Sequence, residues 1–348
     1  MSQTVPFGQF DSFTGDGGLG AEVKIDRDRP PLGTFTFGPA YDGTCFIIKG
    51  NRLYYCKPKQ PEAWPSLFYI EVDQPEFPGK TGVFHNGQPH YFTTKDIFYI
   101  QGTGQGLFQP IRLSAKTGSQ SIRGAASVTG LGVFHTGPDG IYLYSAGNDA
   151  KITETTLEPL FRGETVEGLP GVSDMSNSWL WPFQNHLYFG YVSTGNSYPV
   201  NILVMNMETR RINHYTYNDG NDIEVRAIQT DHTNKRLLIG DGAGFVRVIE
   251  DKTNTKDEST AIPFSLQSKA FTLQTRAHFP RWMKYDVDAS SATTCTGALL
   301  LDGAIHHSHT LSGNRSTKRR LIGTGNGNKA AIRISGTGPA TIYAVEEE

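Results

Sequence analysis

A short phrase returns five times along the chain and restricts its possible folds more than any other feature. A turn pair leads into an apolar, aromatic strand at Gly50-Asn51-Arg52-Leu53-Tyr54-Tyr55, at Lys95-Asp96-Ile97-Phe98-Tyr99-Ile100 and at Asp139-Gly140-Ile141-Tyr142-Leu143-Tyr144. It recurs at Gln184-Asn185-His186-Leu187-Tyr188-Phe189 and, with weaker aromatics, at Asn234-Lys235-Arg236-Leu237-Leu238-Ile239. Counted from Leu53, Ile97, Ile141, Leu187 and Leu237, the intervals are 44, 44, 46 and 50 residues. Short strands that return every ~40–50 residues have the period of a β-propeller blade. The predicted architecture is all-β: a five-bladed or six-bladed β-propeller followed by a small C-terminal β-sandwich.

The composition agrees. The 39 Gly and 19 Pro supply turns throughout, and the 20 Phe and 15 Tyr are strand formers. A formal net charge of −2 gives no general pull towards nucleic acid or membrane. No apolar run approaches the roughly 20 residues of a membrane span, and Met1-Ser2-Gln3-Thr4-Val5-Pro6 lacks the pattern of a signal peptide. The expectation is a soluble protein made in a cytosol. Of the 3 Cys, Cys45 and Cys56 face each other across the Gly50-Asn51 hairpin. Counting pairs outward from the loop puts them at a hydrogen-bonded position, where side chains stand further apart. With Cys295 distant, reduced thiols are expected.

Residues 1–32 carry little periodic pattern and are expected to form an irregular arm. The propeller is assigned to residues 33–251 and the sandwich to 261–348, with a polar boundary at Lys252 to Thr260. The hairpin from Cys45 to Cys56 is apolar on both faces, so both should be covered, as stacked blades require. Thr153 to Phe161 is expected to be a short helix capped by Thr153. The fifth unit offers three strands, near Val225 to Thr230, Arg236 to Gly240 and Phe245 to Glu250. The alternating stretch 33–38 is the candidate for its missing fourth strand. In the tail, strands are expected near Ala270 to Thr275, Tyr285 to Asp288, Thr296 to Leu301, Ala330 to Ser335 and Thr341 to Val345.

Candidate chemistry is sparse. His306, His307 and His309 look metal-like, but on a strand only His307 and His309 share a face, and no Cys or carboxylate nearby completes a set. An exposed strand or loop is the expectation. Gly102-Thr103-Gly104-Gln105-Gly106 and Gly323-Thr324-Gly325-Asn326-Gly327 lack the following helix that makes such glycines hold phosphate. Asp139, Asp174, Asp219, Asp222 and Glu224 sit in loops, unpaired by any spacing that marks a glycosidase, and no nucleophile elbow is present. Lys318-Arg319-Arg320, with Arg276, Arg281, Lys284 and Arg315, makes the tail locally basic, as a solvated strand edge would be. The expectation is therefore a non-enzyme with no catalytic residue, no cofactor and no metal.

Several segments together resemble the β-propeller tail-hub and nozzle proteins of short-tailed bacteriophages. Gly50-Asn51-Arg52-Leu53-Tyr54-Tyr55-Cys56 followed by Pro61-Glu62-Ala63-Trp64-Pro65 is similar to that family's recurring strand and Pro-Glu-x-Trp-Pro element. Gly82 to Gly102 resembles its next strand pair. Gly132-Val133-Phe134-His135 through Asp139-Gly140-Ile141-Tyr142-Leu143-Tyr144 to Lys151-Ile152 and Leu160-Phe161 resembles its third blade, and Ala331-Ile332-Arg333-Ile334-Ser335-Gly336 its closing strands. The resemblance covers roughly residues 43–345; the larger nozzle proteins have extra N-terminal and inserted domains beyond the part that this sequence resembles. It implies a structural virion protein, either the nozzle, a compact hub or a related component. Its partners would be copies of itself in a homo-oligomeric ring, hexameric in this reading, together with a head-tail adaptor and tail fibres. Double-stranded DNA would pass through without sequence specificity, and the protein would be located in the phage tail after assembly in the host cytoplasm. The alternative is a carbohydrate-binding or glycan-cleaving propeller that recognises a host surface, with Trp64, Trp179, Trp181 or loop tyrosines stacking on sugars. A cellular scaffold of the WD type would need Gly-His and Trp-Asp pairs that the repeats lack.

Overall fold

The computed structural model describes residues 29–40, 42–102, 108–153, 157–166, 168–217, 223–249, 256–257, 260–272, 282–292, 294–321 and 327–347. Blade one is an antiparallel sheet of β1 (Phe35–Phe37), β2 (Phe46–Lys49), β3 (Arg52–Tyr55) and β4 (Tyr69–Glu71), paired in that order. Blade two holds β5 (Gly79–His85), β6 (Gln88–Thr93), β7 (Ile97–Gln101) and β8 (Gln109–Arg112). Blade three holds β9 (Ala125–Val128), β10 (Gly132–Thr136), β11 (Ile141–Ser145) and β12 (Asn148–Lys151), and a short helix α1 (Glu158–Phe161) follows it. Blade four holds β13 (Val172–Phe183), β14 (His186–Ser193), β15 (Asn201–Asn206) and β16 (Ile212–Tyr215). Blade five has three strands among the described residues, β17 (Val225–Asp231), β18 (Arg236–Asp241) and β19 (Val246–Ile249).

The first strands of successive blades touch in chain order: β1 with β5, β5 with β9, β9 with β13 and β13 with β17. Inner strands in sequence around one axis, with later strands stepping outward, are the geometry of a β-propeller. Its stability comes from apolar faces pressed between blades. Phe46, Ile48, Leu53 and Tyr55 of blade one meet Tyr91, Phe98, Ile100 and Phe108 of blade two. Phe92 and Ile97 then meet Val133 of blade three. Phe134 and Ile141 of blade three share a core with Leu180 and Phe189 of blade four and with Leu160 and Phe161 of α1. Each such side chain contributes about 1.5–3 kcal/mol when fully buried. Tight hairpins keep the strands in register. At Asn86-Gly87 and Ala146-Gly147 both residues have positive φ, 50° and 76° in one loop and 50° and 80° in the other, the twist that two-residue hairpins need.

The repeated phrase is the return strand of a hairpin, and its place in the blade changes. It forms β3, β7 and β11, the third strands of blades one to three, but β14 and β18, the second strands of blades four and five. The shift falls between the third and fourth copies, where the interval of 46 residues holds β12, α1 and the 12-residue β13.

Two expectations are corrected. Residues 35–37 do not complete blade five: β1 pairs with β2, Phe35 opposite Ile48 and Phe37 opposite Phe46, and the Thr34 amide donates to the Ile48 carbonyl at 2.8 Å. Closing the short loop between β1 and β2 costs less chain entropy than joining strands some 200 residues apart. Thr153 does not cap a helix. Its hydroxyl accepts the Ile141 amide at 3.0 Å, and α1 begins after Leu157 with no side-chain cap. Residues 154–156 of that expected helix lie outside the described residues.

A second compact unit contains the described residues beyond 250. A two-residue pair, β20 (Lys256–Asp257) with β21 (Thr260–Ala261), precedes β22 (Pro263–Gln267) and β23 (Phe271–Thr272). Then come β24 (Trp282–Ala289), β25 (Thr294–Leu301), β26 (Ala304–Thr310), β27 (Gly313–Leu321), β28 (Lys329–Thr337) and β29 (Thr341–Glu347). One sheet runs β22-β28-β25-β26, with β23 also on β28, and the other runs β27-β24-β29. Their inner faces share a core of Met283, Tyr285, Val287, Leu299, Leu301 and Ile334, which makes the unit a β-sandwich. Sequence reading missed β22, β26 and β27, because edge strands are often polar. The basic run Lys318-Arg319-Arg320 lies within edge strand β27.

Candidate functional site at the inner strands of blades three to five

Polar groups from blades three, four and five meet around Arg123, which precedes β9. Its backbone forms a parallel bridge with Trp179 of β13, and its carbonyl accepts the Leu180 amide at 3.0 Å. The Arg123 guanidinium donates to the carbonyl of Arg226 in β17, so one residue ties blade three to blades four and five. Ser121 donates to the Ser178 carbonyl alongside. The Arg226 guanidinium donates to Glu224 at 2.9 Å and lies 3.9 Å from the centre of the Tyr198 ring. Trp181 completes the junction by donating to the Thr230 hydroxyl at 2.9 Å. Arg123 and Arg226 are exposed. Two guanidinium groups, a carboxylate and a phenol make a surface suited to holding polar or planar groups.

Blade three also encloses a buried histidine–carboxylate pair. His135 is 0% exposed and touches acceptors at both ring nitrogens, Asp149 Oδ1 at 3.0 Å and the Gly118 carbonyl at 3.3 Å. Its ring stacks on Tyr142, with centroids 5.4 Å apart and planes 22° apart. Burial opposes the Asp149 charge, but the hydrogen bond and charge of His135 and the amides of Lys116 and Thr117 outweigh it and hold the carboxyl below its usual range. Further along the blade, Asp139 accepts from Tyr142 at 2.7 Å and from Lys151 at 2.8 Å. Burial again opposes the charge, and these donors still hold the Asp139 carboxyl low. Burial, with Asp139 close by, pushes the Tyr142 phenol up. The groups partner one another across one sheet, which reads as structural scaffolding.

The described loop carboxylates do not come together. Asp139 is held within blade three, Asp174 accepts from Ser176 and Asn177 in an irregular stretch of β13, and Glu224 is held by Arg226. Asp219 and Asp222 lie outside the described residues, as do residues 103–107 and 322–326 of the two glycine-rich stretches. The tryptophans proposed for sugar stacking are packed. Trp64 is 5% exposed and donates to the Pro61 carbonyl at 2.6 Å, and Trp179 is 1% exposed against Gly190, where a Cβ would lie 2.1 Å from its ring. Trp181 is half-buried and committed to Thr230. Cys45 and Cys56 are free thiols, and the Cys56 amide donates to the Cys45 carbonyl at 3.1 Å, the hydrogen-bonded position expected. Burial pushes the Cys56 thiol up to about 11. Sequence reading missed Arg123, Tyr198 and Arg226, since none belongs to a periodic pattern or motif.

No family model and no curated protein sequence matches the chain. Similar solved structures include the extracellular domain of a putative hybrid two-component system of B. thetaiotaomicron, 8% identical with a TM-score of 0.40 over 86% of this chain and 43% of that one. Kluyveromyces marxianus Hsv2 is 8% identical with a TM-score of 0.39 over 62% of each chain. The extracellular domain of a putative one-component system of B. thetaiotaomicron is 11% identical with a TM-score of 0.38 over 65% of this chain and 29% of that one. The chain thus spans less than two thirds of the length of each of these structures. Its assignment as a propeller rests on its own strand pairing.

Proposed function

We propose that the chain is a non-enzymatic structural protein of a short-tailed bacteriophage, a tail hub or nozzle component that assembles with copies of itself around the path of the ejected DNA. The observation that carries this reading is the element from Gly50 to Pro65, whose wording resembles that phage family. Its two halves act together here: the β2–β3 hairpin supplies Ile47 and Cys56, and Trp64 lies over them. Such a protein works through rigid surfaces, and the exposed Arg123 and Arg226 junction gives one where polar partners can bind. Its partners in this reading are further copies in a hexameric ring, with a head-tail adaptor and tail fibres, and DNA in transit without sequence specificity.

The test is mass spectrometry and electron microscopy of purified particles together with the oligomeric state of the purified chain. The chain is expected in the tail and as a ring in solution. A strictly monomeric protein absent from particles would overturn the proposal.

A further inference from the structure

Edge strand β26 of the sandwich carries three of the chain's 10 histidines within four residues, His306, His307 and His309. Its pairing with β25 is irregular at that place. Leu299 faces His307 and Leu300 faces Ile305, so His306 is the extra residue of a β-bulge. The bulge brings the His306 ring to 4.5 Å from the His307 ring at 77°, while His307 and His309 lie 6.5 Å apart with planes 4° from parallel. Three imidazoles thereby form one row along the sheet edge, where a regular strand would have turned His306 to the opposite face.

Two buried polar atoms beside this row make no hydrogen bond, His309 Nε2 and the Tyr285 hydroxyl. Tyr285 is 1% exposed and lies against Gly297, where a Cβ would come within 2.4 Å of its ring; Gly297 is the cross-strand partner of His309. A buried polar atom without a hydrogen bond is costly, so His309 Nε2 is available to a ligand.

We propose that His307 and His309, joined by His306, bind one divalent transition-metal ion of the zinc, nickel or copper class. Imidazole ligands suit these ions, whereas magnesium and calcium need oxygen donors. As placed, the rings stand side by side, and among the described residues no three ligating side chains surround one point. The ion draws them together by side-chain rotation. Alternate positions on a strand are about 7 Å apart, a span two imidazole arms can close onto an ion at about 2.0–2.1 Å from each nitrogen. Water completes the coordination, so binding is reversible and chelator-sensitive.

The test uses the untagged full chain, stripped with a chelator and titrated with zinc by calorimetry, and with cobalt followed by its visible absorbance. One zinc per chain is expected, lost by at least about tenfold in affinity in the double variant His307→Gln with His309→Gln, with a smaller loss in His306→Gln. Absence of zinc uptake, or undiminished uptake by a folded double variant, overturns the proposal. Should the double variant fail to fold, histidine modification of the wild-type chain decides. Protection of His307 and His309 by zinc supports the site, and equal labelling with and without zinc refutes it.

Discussion

The first and last blades end the propeller in opposite ways. Blade one turns Ile47 and Cys56 away from blade two, and these are 5% and 0% exposed because Trp64, from the loop after β3, covers them. Blade five turns Leu237, Ile239 and Ile249 inward, where they are 0%, 1% and 7% exposed. Its other face leaves Val246 at 74% and Val248 at 41% exposed. Among the described residues, the outer face of blade one is covered by its own loop, whereas Val246 and Val248 on that of blade five are exposed. An apolar strand face buried by a neighbouring segment contributes to folding, whereas the same residues in water contribute almost nothing.

The largest expected effect comes from removing the cover. Trp64→Ala should destabilise the chain by about 3–5 kcal/mol in denaturant unfolding and make Cys56 react faster with thiol reagents. Unchanged labelling would mean that Trp64 is not the lid. Between the two ends, Asp149→Asn should cost about 1–3 kcal/mol by disturbing the buried hydrogen bond to His135 Nε2. It should also flatten the acid limb of the stability curve. Asp149 is more acidic in the folded state than unfolded, so its contribution is complete above the unfolded value of about 3.9 and is lost as pH falls through the folded one. Stability measured from pH 6 down to pH 2 should show the wild-type loss, and the variant should lack that part of it.

At the junction of blades four and five, Thr230→Val should cost about 1 kcal/mol by leaving Trp181 Nε1 without its acceptor, measured by equilibrium unfolding. The smallest effect is expected on the bare face: Val246→Lys should change stability by no more than about 0.5 kcal/mol while raising solubility. A loss of several kcal/mol there would show that blade five is covered after all and would remove the contrast with blade one.

Much of the propeller was legible because its signal is local. An apolar strand after a turn pair reports a hairpin directly, and the strands around Leu53, Ile97, Ile141, Leu187 and Leu237 all appear where the phrase stands. What the phrase did not report is which strand of a blade it becomes, since hairpins two-three and one-two read alike. The polar strands β26 and β27 were hidden for the same reason that makes them good edges: they lack apolar alternation. The candidate surface was not legible at all. Arg123, Tyr198 and Arg226 are separated by long stretches of sequence and meet only because blades three, four and five converge on their inner strands.

The amino-acid sequence by itself determined that this chain is built of repeated β-hairpins with doubly apolar faces, because side-chain alternation and turn chemistry act over a few residues. Only the tertiary structure decided that residues 35–37 open the first blade and that Trp64 covers it. It also placed a bulge at His306 that aligns three imidazoles. Each of these depends on pairing register and on contacts between segments remote in the chain. A single residue of slip reverses every side chain's face, and the local pattern does not encode that choice.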